Sequence, residues 1–254
     1  MKITVIKVGG AIVEDSDKLN ILLDEFSAIK GNKVLVHGGG RRATKVAASL
    51  GIETKMIDGR RITDADMIDV VTMVYGGLVN KNVVAHLQSK GVNALGLTGA
   101  DANIILSHKR PIKDGVDYGF VGDVDKVDAK ALMTLINGGI TPVIAPLTHD
   151  GRGQILNTNA DTMAGETAKG LALEKNDVTL IYCFEKPGVL QNPDDDNSVI
   201  PVITSKDYKK YVIDGTISGG MIPKIENALA AVNVGVTQVI ITSFDALNSG
   251  TVIK

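Results

Sequence analysis

An open α/β sandwich around a mainly parallel sheet is the fold this sequence predicts, and three observations predict it. Six short β-rich runs are apolar throughout rather than alternating, as expected of strands buried on both faces of a parallel sheet. Segments with helical periodicity lie between them. Glycines follow the first three runs, where an open parallel sheet receives ligands beyond its carboxyl-terminal edge.

The runs come in order. "ITVIKV" ends at Gly9 and Gly10, and a helix follows in which Leu19, Leu22, Leu23, Phe26 and Ile29 share one stripe, with Asp24 and Glu25 off it. "KVLVHG" runs into Gly38, Gly39 and Gly40 and a further helix. Thr63 reads as the N-cap of a longer helix carrying Met67, Val70, Val71 and Val74. "ALGLTG" is the third run. "ILSHKRPIKDGVDYGFVGDVDKV" and "THDGRGQILN" read as antiparallel hairpins punctuated by Asp-Gly turns. "TPVIAPL", "VTLIYC" and "QVIIT" complete the strands, and Ile222, Ile225, Leu229 and Val232 mark a last helix. "GLALEKNDV" is the best candidate for a domain junction, because a new strand–helix series starts after it.

Composition narrows the function classes. The chain has 254 residues, 27 Lys and Arg against 29 Asp and Glu, and a net charge of −2. That balance offers no footing for a nucleic acid or a membrane surface. Trp is absent and aromatics are few, which argues against a base-stacking surface. Cys183 stands alone and fits a reducing compartment. No apolar segment approaches the roughly 20 residues of a spanning helix, and the first residues do not make a signal sequence. A cytoplasmic protein is expected.

Glycine-lined strand ends that open helices present main-chain N–H groups to an anion. One Gly-Gly pair would read as a tight turn; two clusters point to phosphate. Neither is a Walker-type loop or a dinucleotide fingerprint. The His-Gly-Gly-Gly sequence also occurs in the oxyanion holes of lipases, but no G-x-S-x-G elbow accompanies it. Lys7 lies inside the first apolar run. It belongs either to an edge strand or beside an anion or carboxylate that offsets its burial. Lys224 follows Gly219 and Gly220 at the start of a helix, and "NTNADT" leads Asn157, Asn159 and Asp161 into another. Capping accounts for one of those three polar residues, not all.

"IKVGG", "VHGGG", "DGRRIT", "GFVGDVDKVD", "TPVIAPL", "NTNADT", "PGVL" and "GTISGGMIPK" occur in the order and spacing of the acetylglutamate kinases. The chain thus resembles that branch of the amino acid kinase family along essentially its whole length. The resemblance implies a three-layer α/β/α sandwich with two lobes: residues 1–170 for the acyl amino acid and dimerisation, residues 171–254 for ATP. It implies transfer of the γ-phosphoryl group of ATP to the side-chain carboxylate of an N-acylglutamate. Lys7 and Lys224 are then the cations on the transferring group, and Asp161 orients both. Gly9, Gly10, Gly38 and Gly39 bind phosphoryl oxygens. Gly39, Gly40, Arg61 and Asn157 hold the acceptor, with Arg61 as the α-carboxylate clamp and Arg60 a structural neighbour. Phe184, Glu185, Gly188, Gly220 and Lys224 line the nucleotide site. Mg²⁺ is expected with ATP, held by phosphates and water rather than by a protein metal site.

A homodimer is implied too. Arginine-inhibited relatives carry an extra amino-terminal helix that joins dimers into hexamers. Here the first strand begins near Ile3, and the expectation is a dimer indifferent to arginine. One departure stands out: Phe184 and Glu185 replace the family's usual Ser or Thr and Asp before "PGVL". Phe184 either turns into the core or lays its ring against the nucleotide. Competing functions are a kinase for N-succinylglutamate, carbamate or aspartate, and a catalytically silent amino-acid sensor.

Overall fold

The computed structural model describes residues 1–57 and 59–254. Asp58, the first residue of "DGRRIT", lies outside the described residues. β1 (Lys2–Val8) turns at Gly9 into α1 (Gly10–Glu14) and α2 (Ser16–Ala28), which return the chain to β2 (Asn32–His37) and α3 (Gly40–Ser49). β3 (Met56–Ile57) and β4 (Arg60–Arg61) form a small hairpin. α4 (Ala65–Val71), a π-helical stretch (Thr72–Val79) and α5 (Asn80–Ser89) run on from one another. Then come β5 (Ala94–Leu97), β6 (Ile105–Lys109), β7 (Gly122–Val127), α6 (Ala129–Asn137), β8 (Thr141–Ile144), β9 (Leu147–His149), β10 (Ile155–Asn157) and α7 (Ala160–Leu173). The last elements are β11 (Asp177–Phe184), β12 (Val202–Ile203), α8 (Ser205–Ile213), α9 (Met221–Asn233), β13 (Gln238–Ser243) and β14 (Thr251–Ile253).

All six apolar runs enter one eight-stranded sheet, in the order β12-β14-β13-β11-β1-β2-β8-β5. The six strands they form are parallel to their neighbours; only the β13–β14 pair is antiparallel. β1 is therefore central, not an edge. Its alternate side chains feed two cores: Ile3 and Val5 pack with Leu132, Met163 and Leu171 on one face, Ile6 and Val8 with Leu22, Phe26 and Met67 on the other. Helices cover both faces, which makes the molecule a three-layer α/β/α sandwich and explains why its strands carry no polar alternation.

The two hairpins form as expected and share a second, four-stranded sheet, β10-β9-β6-β7. Asp114 and Gly115 both take positive φ, 52° and 77°, the geometry of the Asp-Gly turn that the sequence signals. The α2 stripe is buried at Leu19, Leu22, Leu23 and Phe26. One boundary differs. Asp64, not Thr63, caps α4, its carboxylate accepting the Met67 N–H at 3.0 Å; a carboxylate is also the better partner for the positive end of a helix. Thr63 is instead buried, with its carbonyl accepting the Phe120 N–H at 2.7 Å.

Candidate active site

The parallel strands end along one rim, and the chain departs in opposite directions from β1 and β11: β1 leads toward β2, β11 toward β13. A crevice forms at such a switch point. Two glycine turns meet in it. A Cβ on Gly38 would lie 2.9 Å from the Gly10 nitrogen, and one on Gly10 3.2 Å from the Gly39 nitrogen, so only glycine lets the β1–α1 and β2–α3 turns touch. The N–H of Gly38 is committed to Val8 O at 2.9 Å. Gly38 thus serves close approach, and free donors come from the helix starts, where the amides of Gly10 and Gly40 have no intrahelical acceptor. Gly39 sits on the ring of Tyr75: a Cβ there would be 2.9 Å from Tyr75 Cδ1. Gly9 turns the chain beside Lys7, whose Nζ lies 3.9 Å from where its Cβ would be.

Lys7 is only 7% exposed, and its ammonium meets Asp161 Oδ1 at 2.8 Å. Burying a lysine in a central strand is costly unless such a partner offsets it; the edge-strand alternative is removed. Asn159 caps α7, accepting the N–H groups of Asp161 and Thr162 at 2.8 and 3.1 Å. The cap leaves the Asp161 side chain free to face Lys7. Tyr182 donates its hydroxyl to the Asp161 carbonyl at 3.2 Å. Lys224, from the first turn of α9, hangs over the Phe184 ring with Nζ 3.9 Å from its centroid. Half-burial lowers its pKa, with Asp161 acting to raise it and Lys7 to lower it.

Two cavities open on this cluster. One, of about 470 Å³, is walled by Gly9, Gly10, Phe184, Glu185, Gly188 and Lys224 among others. The second, of about 460 Å³, is lined by Gly38, Gly39, Arg60, Arg61, Asn157, Asp161 and Gly220. Gly40 and Lys224 line both. Gly220, expected on the nucleotide side, lies instead in the second cavity. Arg61 bridges to α3, its Nη2 donating to Gly40 O at 2.8 Å and Thr44 Oγ1 at 2.9 Å, and its Nη1 to Thr54 Oγ1 at 3.2 Å. Arg60 is exposed at the mouth. Asn157 donates to Thr63 Oγ1 at 2.9 Å, which fixes its amide against the cavity wall. Among the described residues no group of three or more His, Cys, Asp or Glu side chains is placed to hold a metal ion, and no helix is long and apolar enough to cross a membrane.

Sequence reasoning missed three contributors. Tyr75 reaches the glycine turn from the π-helical stretch, a register that no apolar periodicity reveals. Arg110 lines the second cavity, held by Asp123 through Nε at 3.1 Å and Nη2 at 2.6 Å. His37 is fully buried below the glycines. Its Nδ1 donates to Gly38 O at 2.8 Å, since a carbonyl only accepts, leaving Nε2 to accept from Asn80 Nδ2 at 3.1 Å. Burial pulls its pKa down to about 4.

A switch-point crevice with two glycine turns and two lysines around one carboxylate defines an anion-handling α/β enzyme fold, and comparisons with known proteins specify it. The sequence model of the amino acid kinase family matches residues 2–243. The acetylglutamate kinase of Phocaeicola vulgatus is 67% identical over 255 aligned positions, covering 100% of this chain and 98% of its own. That of Bacteroides thetaiotaomicron is 66% identical with the same coverage. Among solved structures, smu.665 from Streptococcus mutans superposes with a TM-score of 0.80 at 31% identity, covering 99% of this chain and 98% of its own. Carbamate kinase from Giardia lamblia shares the fold at a TM-score of 0.68 and 17% identity, over 99% and 98% of the two chains. The chain belongs to the amino acid kinase family and, within it, to the acetylglutamate kinases.

Proposed function

We propose that the protein transfers the γ-phosphoryl group of ATP to the side-chain carboxylate of N-acetyl-L-glutamate, giving ADP and an acyl phosphate. The observation that carries this reading is the pair of cavities meeting at Gly40 and Lys224, with Asp161 in the wall of the second and paired to Lys7 behind it. On it, ATP lies in the cavity of Phe184 and Glu185, and Mg²⁺ accompanies it, held by phosphate oxygens and water. The acceptor lies in the cavity of Arg61 and Asn157. Arg61 takes the α-carboxylate through its planar fork, and Asn157 takes the amide.

Phosphoryl transfer asks a protein chiefly for positioning and charge stabilisation. The acceptor carboxylate is ionised at neutral pH and needs no general base, which suits a site whose buried histidine is neutral and bonded elsewhere. The carboxylate oxygen attacks the γ-phosphorus, the bond to the β-bridging oxygen breaks, and ADP leaves with that electron pair. Lys7 and Lys224 meet the negative charge spreading over the phosphoryl oxygens. Asp161 keeps the two like-charged ammonium groups apart and aimed. The amides of Gly10 and Gly39 add fixed donors.

A homodimer is part of the same reading. β5 leaves one edge of the large sheet unpaired, and Leu95 on it, with Met73 and Leu78 on the preceding helical segment, is exposed.

A second reading concerns the acyl group. Arg60 lines the acceptor cavity besides Arg61, while Arg110 there is already paired with Asp123. An acyl group ending in a third carboxylate, as in N-succinylglutamate, would meet Arg60. A hydroxamate assay with N-acetylglutamate, N-succinylglutamate, glutamate, aspartate and carbamate tests both readings: an N-acylglutamate is expected to give the highest kcat/KM. Turnover of carbamate or aspartate alone, or of no acceptor, overturns them.

A further inference from the structure

We infer that Phe184 is a positioning residue for phosphoryl transfer, an aromatic platform that holds the Lys224 and Lys7 ammonium groups at the junction of the two cavities. The inference rests on the kinase reading above, but its geometry stands independently. The Lys224 ammonium lies 3.9 Å from the centroid of the Phe184 ring and the Lys7 ammonium 5.3 Å. Both distances fall within the range over which a cation is drawn to an aromatic face.

The ring is itself fixed. Phe184 ends β11, with its backbone paired to Ser243 of β13. Its ring stacks against Tyr182, centroids 6.3 Å apart and planes 22° from parallel. Tyr182 pairs with Lys7 in the sheet register and donates to the Asp161 carbonyl. One aromatic pair thus borders the cluster: the Phe184 ring faces the two lysines, and the Tyr182 hydroxyl holds the backbone that carries Asp161.

The physical need is plain. Asp161 acts electrostatically on both ammonium groups, but it is Lys7 that pairs with it, at 2.8 Å. Lys224 sits half-buried, where desolvation and Lys7 both disfavour its charge. An aromatic face gives it a second attractive surface without adding a carboxylate that would repel incoming phosphates. The ring is not core filler: it is partly exposed and walls the nucleotide cavity.

The test compares Phe184→Leu, which keeps apolar bulk and loses the π face, with Phe184→Tyr, which keeps it. In protein labelled at lysine ¹³Cε, the Lys224 signal, assigned by its loss in Lys224→Arg, is expected upfield in wild type and Phe184→Tyr from the ring current. In Phe184→Leu it is expected to return to the ordinary lysine position. Leu should also lower kcat about 5-fold, the scale of one cation–π contact, with a smaller change in acceptor KM, and shift the basic limb of the pH profile to lower pH. Tyr should restore both. An unshifted Lys224 signal in wild type, or equal kcat and pH profiles for wild type and Phe184→Leu, overturns the inference. Equal losses in Leu and Tyr also overturn it. The spectrum needs no turnover, so failure of the kinase reading would show separately, as wild-type protein inactive with every acceptor.

Discussion

Lys7 and Asp161 form an ion pair of 2.8 Å at the carboxyl end of the central strand, and Lys224, from α9, feels the same carboxylate while forming no ion pair of its own among the described residues. Three charges from three distant parts of the chain meet because β1, α7 and α9 all end or begin at the switch point of the sheet.

That convergence predicts large catalytic losses. Lys7→Ala and Lys224→Ala should each lower kcat by about 10²-fold or more, the scale for one preorganised charge, while acceptor KM moves much less. Steady-state kinetics with a Tm control checks it. Lys7→Ala carries a second cost, because it leaves Asp161 without its partner; a fall in Tm confined to that variant is expected.

Arg61 should act in binding. Arg61→Lys keeps the charge but loses the fork that reaches Gly40 O, Thr44 and Thr54, so acceptor KM should rise about 10-fold or more with ATP KM unchanged. Arg60→Lys, at the exposed mouth, should leave KM for N-acetylglutamate within about 2-fold. Kinetics with the arginine effects exchanged would assign the clamp to Arg60.

The glycine turns give a steric prediction. Gly38→Ala places a methyl group 2.9 Å from the Gly10 backbone nitrogen, where neither side is a flexible side chain. The two turns must part, and kcat should fall at least about 10-fold. Gly77→Ala, with nothing within 4 Å of its Cβ, should be active and more stable by about 0.5–1 kcal/mol. Thermal melts and kinetics on the pair distinguish a need for space from a general sensitivity to alanine.

His37 gives a pH prediction. Its folded-state pKa is lowered from 6.5 to about 4, so between those values the unfolded chain binds more protons than the folded one. The contribution to stability is full above about pH 6.5 and fades as pH falls toward 4, by at most about 3 kcal/mol. In His37→Leu, where Asn80 keeps its bond to Val143 O, the fall in Tm between pH 7 and pH 5 should be shallower than in wild type. Parallel curves would mean that His37 is protonated in the folded state.

Much of this was legible in the sequence because buried parallel strands carry it openly: "ITVIKV" and "VTLIYC" read as strands covered on both faces, and glycines at strand ends advertise themselves. Lys7 was legible for the same reason, as a charge in an apolar run. What the sequence left open depends on which strands become neighbours. Whether β1 lay at an edge decided the meaning of Lys7, and no local pattern fixes strand order. Phe184 was ambiguous between core and site, since its role depends on two lysines more than 30 positions away in either direction. Tyr75 was invisible because a π-helical register breaks the 3.6-residue period, and Thr63 was mistaken for a cap because Asp64 beside it caps equally well on paper.

The central claim is that a carboxylate oxygen of the acceptor attacks the γ-phosphorus of ATP. It is tested most directly by ³¹P NMR of the reaction with N-acetyl-L-glutamate labelled with ¹⁸O in its side-chain carboxylate. The account predicts a new acyl-phosphate resonance that grows in step with ADP and carries the isotope shift of a bridging ¹⁸O. ADP formed with inorganic phosphate alone, or an acyl-phosphate signal without that shift, would contradict it.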